Sequence, residues 1–145
     1  MLVALLEFTV DEFEASLVTD SGQNPAEDLK RLIATLLSPQ SVADDYEYQA
    51  VLVGFRSQAI TNTRIRAQFT QADDRLANKI QELIERGIAE GVFQEINTSQ
   101  VVEYILATIT GAMSGRVTTD REGVVAAAHT SLISYIDSQL IQDPL

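Results

Sequence analysis

The side chains in this sequence that could do chemistry are few and far apart. His129 is the single histidine, and no carboxylate lies three or four residues away to share a metal ion with it. A packed or interface histidine is therefore a better interpretation than a metal ligand or a general base. The sequence has no cysteine, which excludes disulfides, thiolate nucleophiles and cysteine metal sites.

Two pairs of carboxylates and one serine are the other candidates for catalysis. Asp44–Asp45 and Asp73–Asp74 are adjacent pairs whose side chains diverge on a helix, so we interpret them as helix-start and solvated charges. Ser114 lies in GAMSGR, which lacks the G-x-S-x-G spacing of a nucleophile elbow. Neither common glycine-rich phosphate loop is present. We therefore expect no enzyme activity, no cofactor and no metal site.

A set of large side chains instead favours an internal site for a small molecule. They lie on inward faces of predicted helices that must converge, and a mainly apolar cavity with a few polar groups is typical of such sites. For any one of them, simple filling of the core is the better interpretation. An inward-pointing Arg56 would favour an anionic ligand, because an unpaired buried guanidinium is costly. The predicted ligand-binding residues are Phe13, Tyr48, Leu52, Phe55, Arg56, Phe69, Tyr104, Thr108 and Met113.

Length and composition predict a single domain that spans residues 1–145, since 46% of the residues are apolar and can form one core. Twenty-one acidic and ten basic residues give a net charge of −11, which argues against DNA binding by this chain alone. Two of the basic residues are lysines, Lys30 and Lys79. This composition is typical of halophilic proteins, and an ordinary acidic protein is the alternative. A steep loss of stability at low salt would separate the two.

The chain shows no targeting or membrane segment. Its apolar start carries Glu7 and three further acidic residues and lacks a basic region, unlike a secretory signal. The longest apolar stretch, 101–113, is too short to span a bilayer. We expect a cytoplasmic protein with no membrane partner.

Hydrophobic spacing predicts an all-α bundle of six helices. The first stripe, Leu2–Leu17, has no N-cap, so residues 1–17 are predicted to be the tail of a helix that continues from upstream. Asn24–Pro25 opens the second helix, which ends at Ser38–Pro39. The third helix begins near Val42.

The segment Asp73–Tyr104, called here the corner segment, organises the rest of the chain. The fourth helix is predicted to start at Thr63 and to run unbroken for about 28 residues into this segment. Gly91 follows its last periodic residue, where a positive φ closes a helix. Asn97 and Gln100 form a capping pair for the next helix.

The fifth helix, Thr98 to about Arg116, is apolar on most of its circumference and is predicted to be buried on more than one side. Ala107, Gly111 and Gly115 stand four apart, so another backbone can approach one edge closely.

The sixth helix is predicted to open with the capping pair Thr119 and Glu122. Its apolar stripe contains Val125, Ala128, Leu132, Ile136 and Leu140.

One part of this pattern resembles a segment of the TetR family of transcriptional regulators. The stretch ERGIAEGVFQEINTSQVVEYILATITGAMSG is similar to a family segment in which a long helix ends G-x-x-x-G-x-F before a polar corner, and a helix with a mid-point glycine follows. The helix over Leu2–Phe8 looks like the tail of the connecting helix that follows the family's helix-turn-helix. The matching positions are Gly87, Gly91, Phe93, Asn97 and Gly111.

The resemblance covers essentially the whole chain, as the C-terminal effector and dimerisation domain of that family. It implies that the first four helices enclose a small-molecule effector and that the last two pair with their copies in the four-helix bundle of a homodimer. The DNA-binding helices are absent, so DNA contact is expected only through a missing N-terminal domain. The predicted dimer-interface residues are Ala107, Gly111, Gly115, Val125, His129, Leu132 and Ile136.

The leading hypothesis is a ligand-sensing domain whose effector shifts the first helix and thereby releases DNA from the heads of a complete regulator. The alternatives are a helical dimerisation or interaction protein without a ligand, and a truncated partner of full-length regulators. A small enzyme has the least support.

Overall fold

The computed structural model describes residues 24–37 and 43–141. Within these ranges the architecture is all-helical, as predicted. The first predicted helix, together with Phe13, lies outside the described residues, so five of the six predicted helices can be compared. They are α1 (Pro25–Leu37), α2 (Ala43–Gln58), α3 (Thr63–Ala89), α4 (Thr98–Thr118) and α5 (Val124–Tyr135), and one π-helical turn (Ile136–Leu140) extends α5.

Three asparagines fix the starts of α1, α3 and α4. The Asn24 side chain accepts a hydrogen bond from the backbone N–H of Ala26 at 2.9 Å. Asn62 accepts from two backbone N–H groups of α3, and Asn97 accepts from the N–H of Gln100 at 3.2 Å. Each bond satisfies a donor that the first helical turn leaves unpaired. The predicted starts at Asn24 and Asn97 and the predicted break before Thr63 are confirmed.

The predicted start of the last helix is wrong. Thr119 closes α4 instead, because its hydroxyl donates to the carbonyl of Gly115 at 2.7 Å and accepts from the N–H of Arg121 at 3.2 Å. The chain then turns through Gly123, whose φ of +82° is open to glycine at little cost. α5 therefore begins at Val124, beyond the predicted capping residue Glu122.

The corner between α3 and α4 depends on two glycines. Gly91 has a φ of +75°, which lets the N–H of Val92 donate to the carbonyl of Gly87 at 2.8 Å and closes α3. The ring of Phe93 lies on Gly87, where an added Cβ would come within 2.1 Å of the ring. In the G-x-x-x-G-x-F spacing, Gly91 makes the turn, Gly87 leaves room for the ring, and Phe93 supplies the buried ring.

α1, α3, α4 and α5 share the main core. α1 packs against the other three, and α4 packs against both α3 and α5. The predicted stripe of the last helix is confirmed as a core stripe, since Leu132, Ile136 and Leu140 are fully buried. Other fully buried side chains of this core are Leu29, Ile33, Leu37, Ile80, Leu83, Ile84 and Ile105.

A buried carboxylate joins α1 to α3 within this core. The Asp28 side chain is fully buried; its Oδ2 accepts from Nη2 of Arg86 at 2.7 Å, and its Oδ1 accepts from Nη1 of Arg31 at 3.1 Å. A buried charge is stable only when it is paired in this way. Asp28 therefore fixes where α1 docks along α3.

Candidate effector site and dimer face

α2 lies against α3 and α4 and forms a second hydrophobic cluster with α3. Its buried members are Phe55, Ile65 and Phe69, and Leu52, Ala59 and Ala72 pack against them. We call these six residues the α2–α3 cluster. It contains three of the predicted ligand-binding residues, namely Leu52, Phe55 and Phe69. Two of its three buried members are aromatic, which suits recognition of a small molecule as well as packing.

Arg56 caps this cluster with its guanidinium. Nη2 of Arg56 is 2.6 Å from Oδ2 of Asp73, and Nη1 is 3.4 Å from Oδ1, so the pair is two-pronged. The guanidinium carbon also lies 5.2 Å from the centroid of the Phe69 ring, within cation–π distance. An anionic ligand was expected if the Arg56 guanidinium were buried without a partner. Asp73 already pairs with this guanidinium, so the reason for expecting an anion does not apply.

Asp73 was missed as a site residue, because it was interpreted as a solvated charge. It follows Phe69 by four residues on α3, so the ring and the carboxylate share one helix face. That spacing is visible in the sequence, whereas the approach of Arg56 from another helix, 17 residues away, is not.

The structure places the other predicted ligand-binding residues elsewhere. Tyr104 is 43% exposed on α4, and its ring meets that of Tyr135 on α5 edge-on, with centroids 4.9 Å apart. Thr108 is half-buried and donates to the carbonyl of Tyr104 at 2.7 Å. Met113 packs against the main core. The side chain of Tyr48 lies outside the described residues.

The predicted dimer residues divide into two groups. Leu132 and Ile136 are fully buried within the chain and Val125 is 8% exposed, so these three side chains belong to the main core. Ala107 and Gly111 are exposed on α4, and Gly115 and His129 are half-buried. An added Cβ at Gly111 would meet no atom within 4 Å. The edge of α4 formed by Ala107, Gly111 and Gly115 therefore faces outward.

The outer surface of α4 and α5, called here the outer α4–α5 face, consists mainly of small uncharged side chains, with Tyr104 as its large member. α5 contains no acidic, lysine or arginine residue, and Glu103 and Arg116 are the two charged residues of α4. A surface of this kind is unusual on a chain with a net charge of −11. Its exposed members include Tyr104, Ala107, Gly111, Ala126, Ala127, Thr130, Ser131 and Ser134.

A polar contact links α2 to α4. Gln49 is 8% exposed, and its Oε1 accepts from Nη1 of Arg116 at 3.1 Å. The contact ties α2, which contributes Leu52 and Phe55 to the α2–α3 cluster, to α4, one of the two helices of the outer α4–α5 face.

One groove lies at the corner, away from the α2–α3 cluster. It has a volume of roughly 380 Å³ and is lined by Ile88, Phe93, Gln94 and Glu95. Ile88 is about 28 Å along α3 from Phe69, at 1.5 Å per residue. Of the predicted ligand-binding residues whose side chains the structure describes, none lines the groove.

Within residues 24–37 and 43–141, no three His, Asp or Glu side chains lie close enough together to form a metal site. No helix among the same residues combines the length and apolarity needed to cross a bilayer.

Residues 25–140 match the family model for the C-terminal domain of BetI-type transcriptional repressors. The chain therefore belongs to this family of TetR regulators, as the corner segment indicated. No curated protein matched in a search with the whole sequence.

Solved structures of three regulators share this fold. A TetR transcription regulator from Haloarcula marismortui ATCC 43049 is 27% identical, with a TM-score of 0.87 over 96% of this chain and 76% of its own. A transcriptional regulator from Saccharomonospora viridis, in complex with choline, is 22% identical, with a TM-score of 0.74 over 98% of this chain and 72% of its own. A TetR transcriptional regulator from Chloroflexus aurantiacus J-10-FL is 19% identical, with a TM-score of 0.74 over 97% of this chain and 71% of its own.

Proposed function

We propose that this domain binds a small effector and forms a homodimer, and that effector binding controls DNA binding by a helix-turn-helix head outside these 145 residues. The outer α4–α5 face is the observation that carries the dimer. Its small side chains let two helices approach closely, and a two-fold axis pairs such a face with its own copy. An acidic chain also associates most readily through the part of its surface that has no charge.

The effector half of the proposal rests on the α2–α3 cluster. It is separate from the main core and contains two buried aromatic rings. It also connects to α4 through the hydrogen bond between Gln49 and Arg116. A ligand that moved α2 would therefore act on the same helix that we assign to the dimer.

A concentration series of thermal unfolding tests the dimer. The melting temperature of a dimer that unfolds to separate chains rises with protein concentration, because association stabilises only the folded state. We expect a rise over a hundredfold concentration range. A melting temperature that stays constant over this range would support a monomer.

A ligand panel tests the effector. It includes anions, neutral apolar compounds and organic cations, with choline among the cations because one regulator of this fold binds it. We expect at least one class to raise the melting temperature of the wild type, and Phe69→Leu to reduce that rise. If the dimer persists and no member of the panel changes the melting temperature, the domain is a dimerisation module without a ligand of these classes.

A further inference from the structure

Tyr104 projects from the outer α4–α5 face. Among the large apolar and aromatic side chains of α4 and α5 it alone is exposed, at 43%. The ring of Tyr135 contacts it from α5, with the two ring planes at 65°. Edge-to-face ring pairs have a preferred geometry and are stabilising, so Tyr135 holds the Tyr104 ring in one position. The face therefore carries one large side chain whose position is fixed before any partner binds.

Gly111 leaves an open space of the kind that this ring would need on a second copy. It follows Tyr104 by seven residues, about two helical turns, so both residues lie on one side of α4. An added Cβ at Gly111 would meet no atom within 4 Å, whereas one at Gly115 would lie 3.7 Å from the side chain of Val124. The space above Gly115 is therefore partly filled from within the chain, and the space above Gly111 is open.

A two-fold axis can bring the ring and the open space together twice. In an isologous interface, a contact from residue i to residue j is matched by a contact from j to i. Two antiparallel copies of α4, with the axis midway between Tyr104 and Gly111, place each ring over the glycine of the other copy. Ala107 lies beside this midpoint and is exposed. Its small side chain lets the two helices approach closely at the axis.

A second copy of this chain is the partner that suits this surface. Two chains that each carry a net charge of −11 repel each other wherever their acidic surfaces meet. α4 has no charged residue between Tyr104 and Gly111, and α5 contains no acidic, lysine or arginine residue. This surface therefore lets two copies meet with the least repulsion.

We propose that Tyr104 of each chain packs against Gly111 of the partner subunit, across a two-fold axis beside Ala107. This inference rests on the proposed homodimer and adds the register in which the two copies of α4 meet. Aromatic rings that fill a space near the centre of an interface commonly dominate its binding energy. The Tyr104 ring should therefore contribute more to dimerisation than the small side chains around it.

Disulfide cross-linking tests the register, because the chain has no cysteine of its own. A disulfide requires two Cα atoms about 4.4–6.8 Å apart. Ala107→Cys lies next to its own copy in this register and should form a covalent dimer on oxidation. Gly54→Cys, at a position on α2 where an added Cβ meets no atom within 4 Å, is the matched control and should not.

A mixture of two variants tests the contact between Tyr104 and Gly111. Tyr104→Cys and Gly111→Cys should each cross-link poorly alone, because the two copies of either residue lie about 10 Å apart along the helix. They should cross-link when mixed, since the mixed dimer pairs the two cysteines and keeps one Tyr104–Gly111 contact. Tyr104→Cys mixed with Gly115→Cys is the control for a register shifted by one turn and should not cross-link.

Moving the ring from one position to the other tests the packing without cysteines. Gly111→Tyr brings two rings together at each contact, and Tyr104→Ala removes the ring, so each should weaken dimerisation about tenfold in sedimentation equilibrium. The double variant Tyr104→Ala/Gly111→Tyr restores one ring to each contact and should dimerise more tightly than either single variant. Helical circular dichroism verifies that each variant is folded.

The outcomes separate this register from the homodimer itself. A dimeric wild type in which Ala107→Cys does not cross-link would overturn the register and leave the homodimer intact. Cross-linking of Tyr104→Cys with Gly115→Cys in place of Gly111→Cys would also overturn it, as would a double variant that dimerises no better than the single variants. A wild type that is monomeric at every concentration would overturn the proposed homodimer.

Discussion

Phe93 and Gly87 show how single residues fix the meeting of two helices. Phe93 is 1% exposed, and its ring lies where a side chain at position 87 would lie. The same glycine carbonyl accepts from the N–H groups of both Val92 and Phe93, at 2.8 and 3.0 Å. Close packing and helix termination therefore coincide at one residue.

Substitution of Gly87 tests this contact. Gly87→Ala places a Cβ 2.1 Å from the ring of Phe93, and overpacking a core in this way typically costs about 1–3 kcal/mol. That cost exceeds the gain of up to ~1 kcal/mol that alanine brings to a helix. We expect a net decrease in the free energy of unfolding, measured by urea denaturation.

Gly54→Ala is the control for Gly87→Ala. Gly54 is also helical, but an added Cβ there meets no atom within 4 Å. We expect an increase of roughly 0.5–1 kcal/mol from helix propensity alone. An equal effect of the two substitutions would show that the Phe93 ring does not restrict position 87.

At the level of elements, one buried carboxylate and two arginines determine how α1 packs on α3. The Asp28 carboxylate accepts from Arg31 of its own helix and from Arg86, which is 58 residues after Asp28 in the chain. The apolar stripe of α1 alone would permit sliding by one turn, since Leu and Ile repeat along both helices. The carboxylate favours one register, because any other leaves a buried charge without a partner.

Asp28→Asn tests the register argument. It removes a carboxylate that is completely buried and weakens its hydrogen bond to Arg86, and hydrogen bonds to charged groups typically contribute about 1.5–3 kcal/mol, so we expect a loss of about 2 kcal/mol. Glu27→Gln, at a side chain that is 61% exposed, changes the same charge by the same chemistry and should cost less than about 1 kcal/mol. Urea denaturation measures both, and losses of equal size would contradict a special role for Asp28.

Local sequence signals predicted most helix boundaries correctly, and the start of α5 is the exception. The starts at Asn24 and Asn97 follow from short-range capping, and the end of α3 follows from Gly91. The start of α5 was missed because Thr119 and Glu122 have the spacing of a capping pair, while the chain turns through Gly123 instead.

The candidate site was harder to predict than the helices. Arg56 and Asp73 meet across a helical hairpin, 17 residues apart, and a single sequence carries no signal for such a pair. Tyr104 was assigned to the pocket because α4 is apolar nearly all round, so its pattern does not distinguish an inner from an outer face. Its contact with Tyr135 assigns it to the outer α4–α5 face.

At the level of the whole molecule, charge predicts how stability depends on salt. A net charge of −11 makes the folded chain repel itself. Salt screens this repulsion, because the Debye length falls from about 10 Å at 0.1 M to about 3 Å at 1 M. We expect the melting temperature to rise with NaCl over that range, and to rise less steeply when the exposed Asp74, Glu82 and Glu85 are neutralised.

A melting temperature that does not change with NaCl would contradict the halophilic interpretation. It would also contradict the argument that acidic self-repulsion limits stability. The acidic surface would then resemble that of an ordinary acidic protein, whose exposed charges contribute little at any salt concentration.

The dimer formed by the outer α4–α5 face is the central claim, and mass measurement by light scattering tests it most directly. Gly111→Glu places a carboxylate on that face without disturbing the chain itself, since an added Cβ meets no atom within 4 Å. Gly54→Glu makes the same change on α2 and is the control. In a dimer through this face, each carboxylate would be buried without a partner against the other chain, which weakens association.

We predict a mass of about twice 15.9 kDa for the wild type and for Gly54→Glu, and of 15.9 kDa for Gly111→Glu. A wild-type mass of 15.9 kDa would contradict the dimer. A Gly111→Glu protein that remains dimeric would show that the two chains associate through another surface.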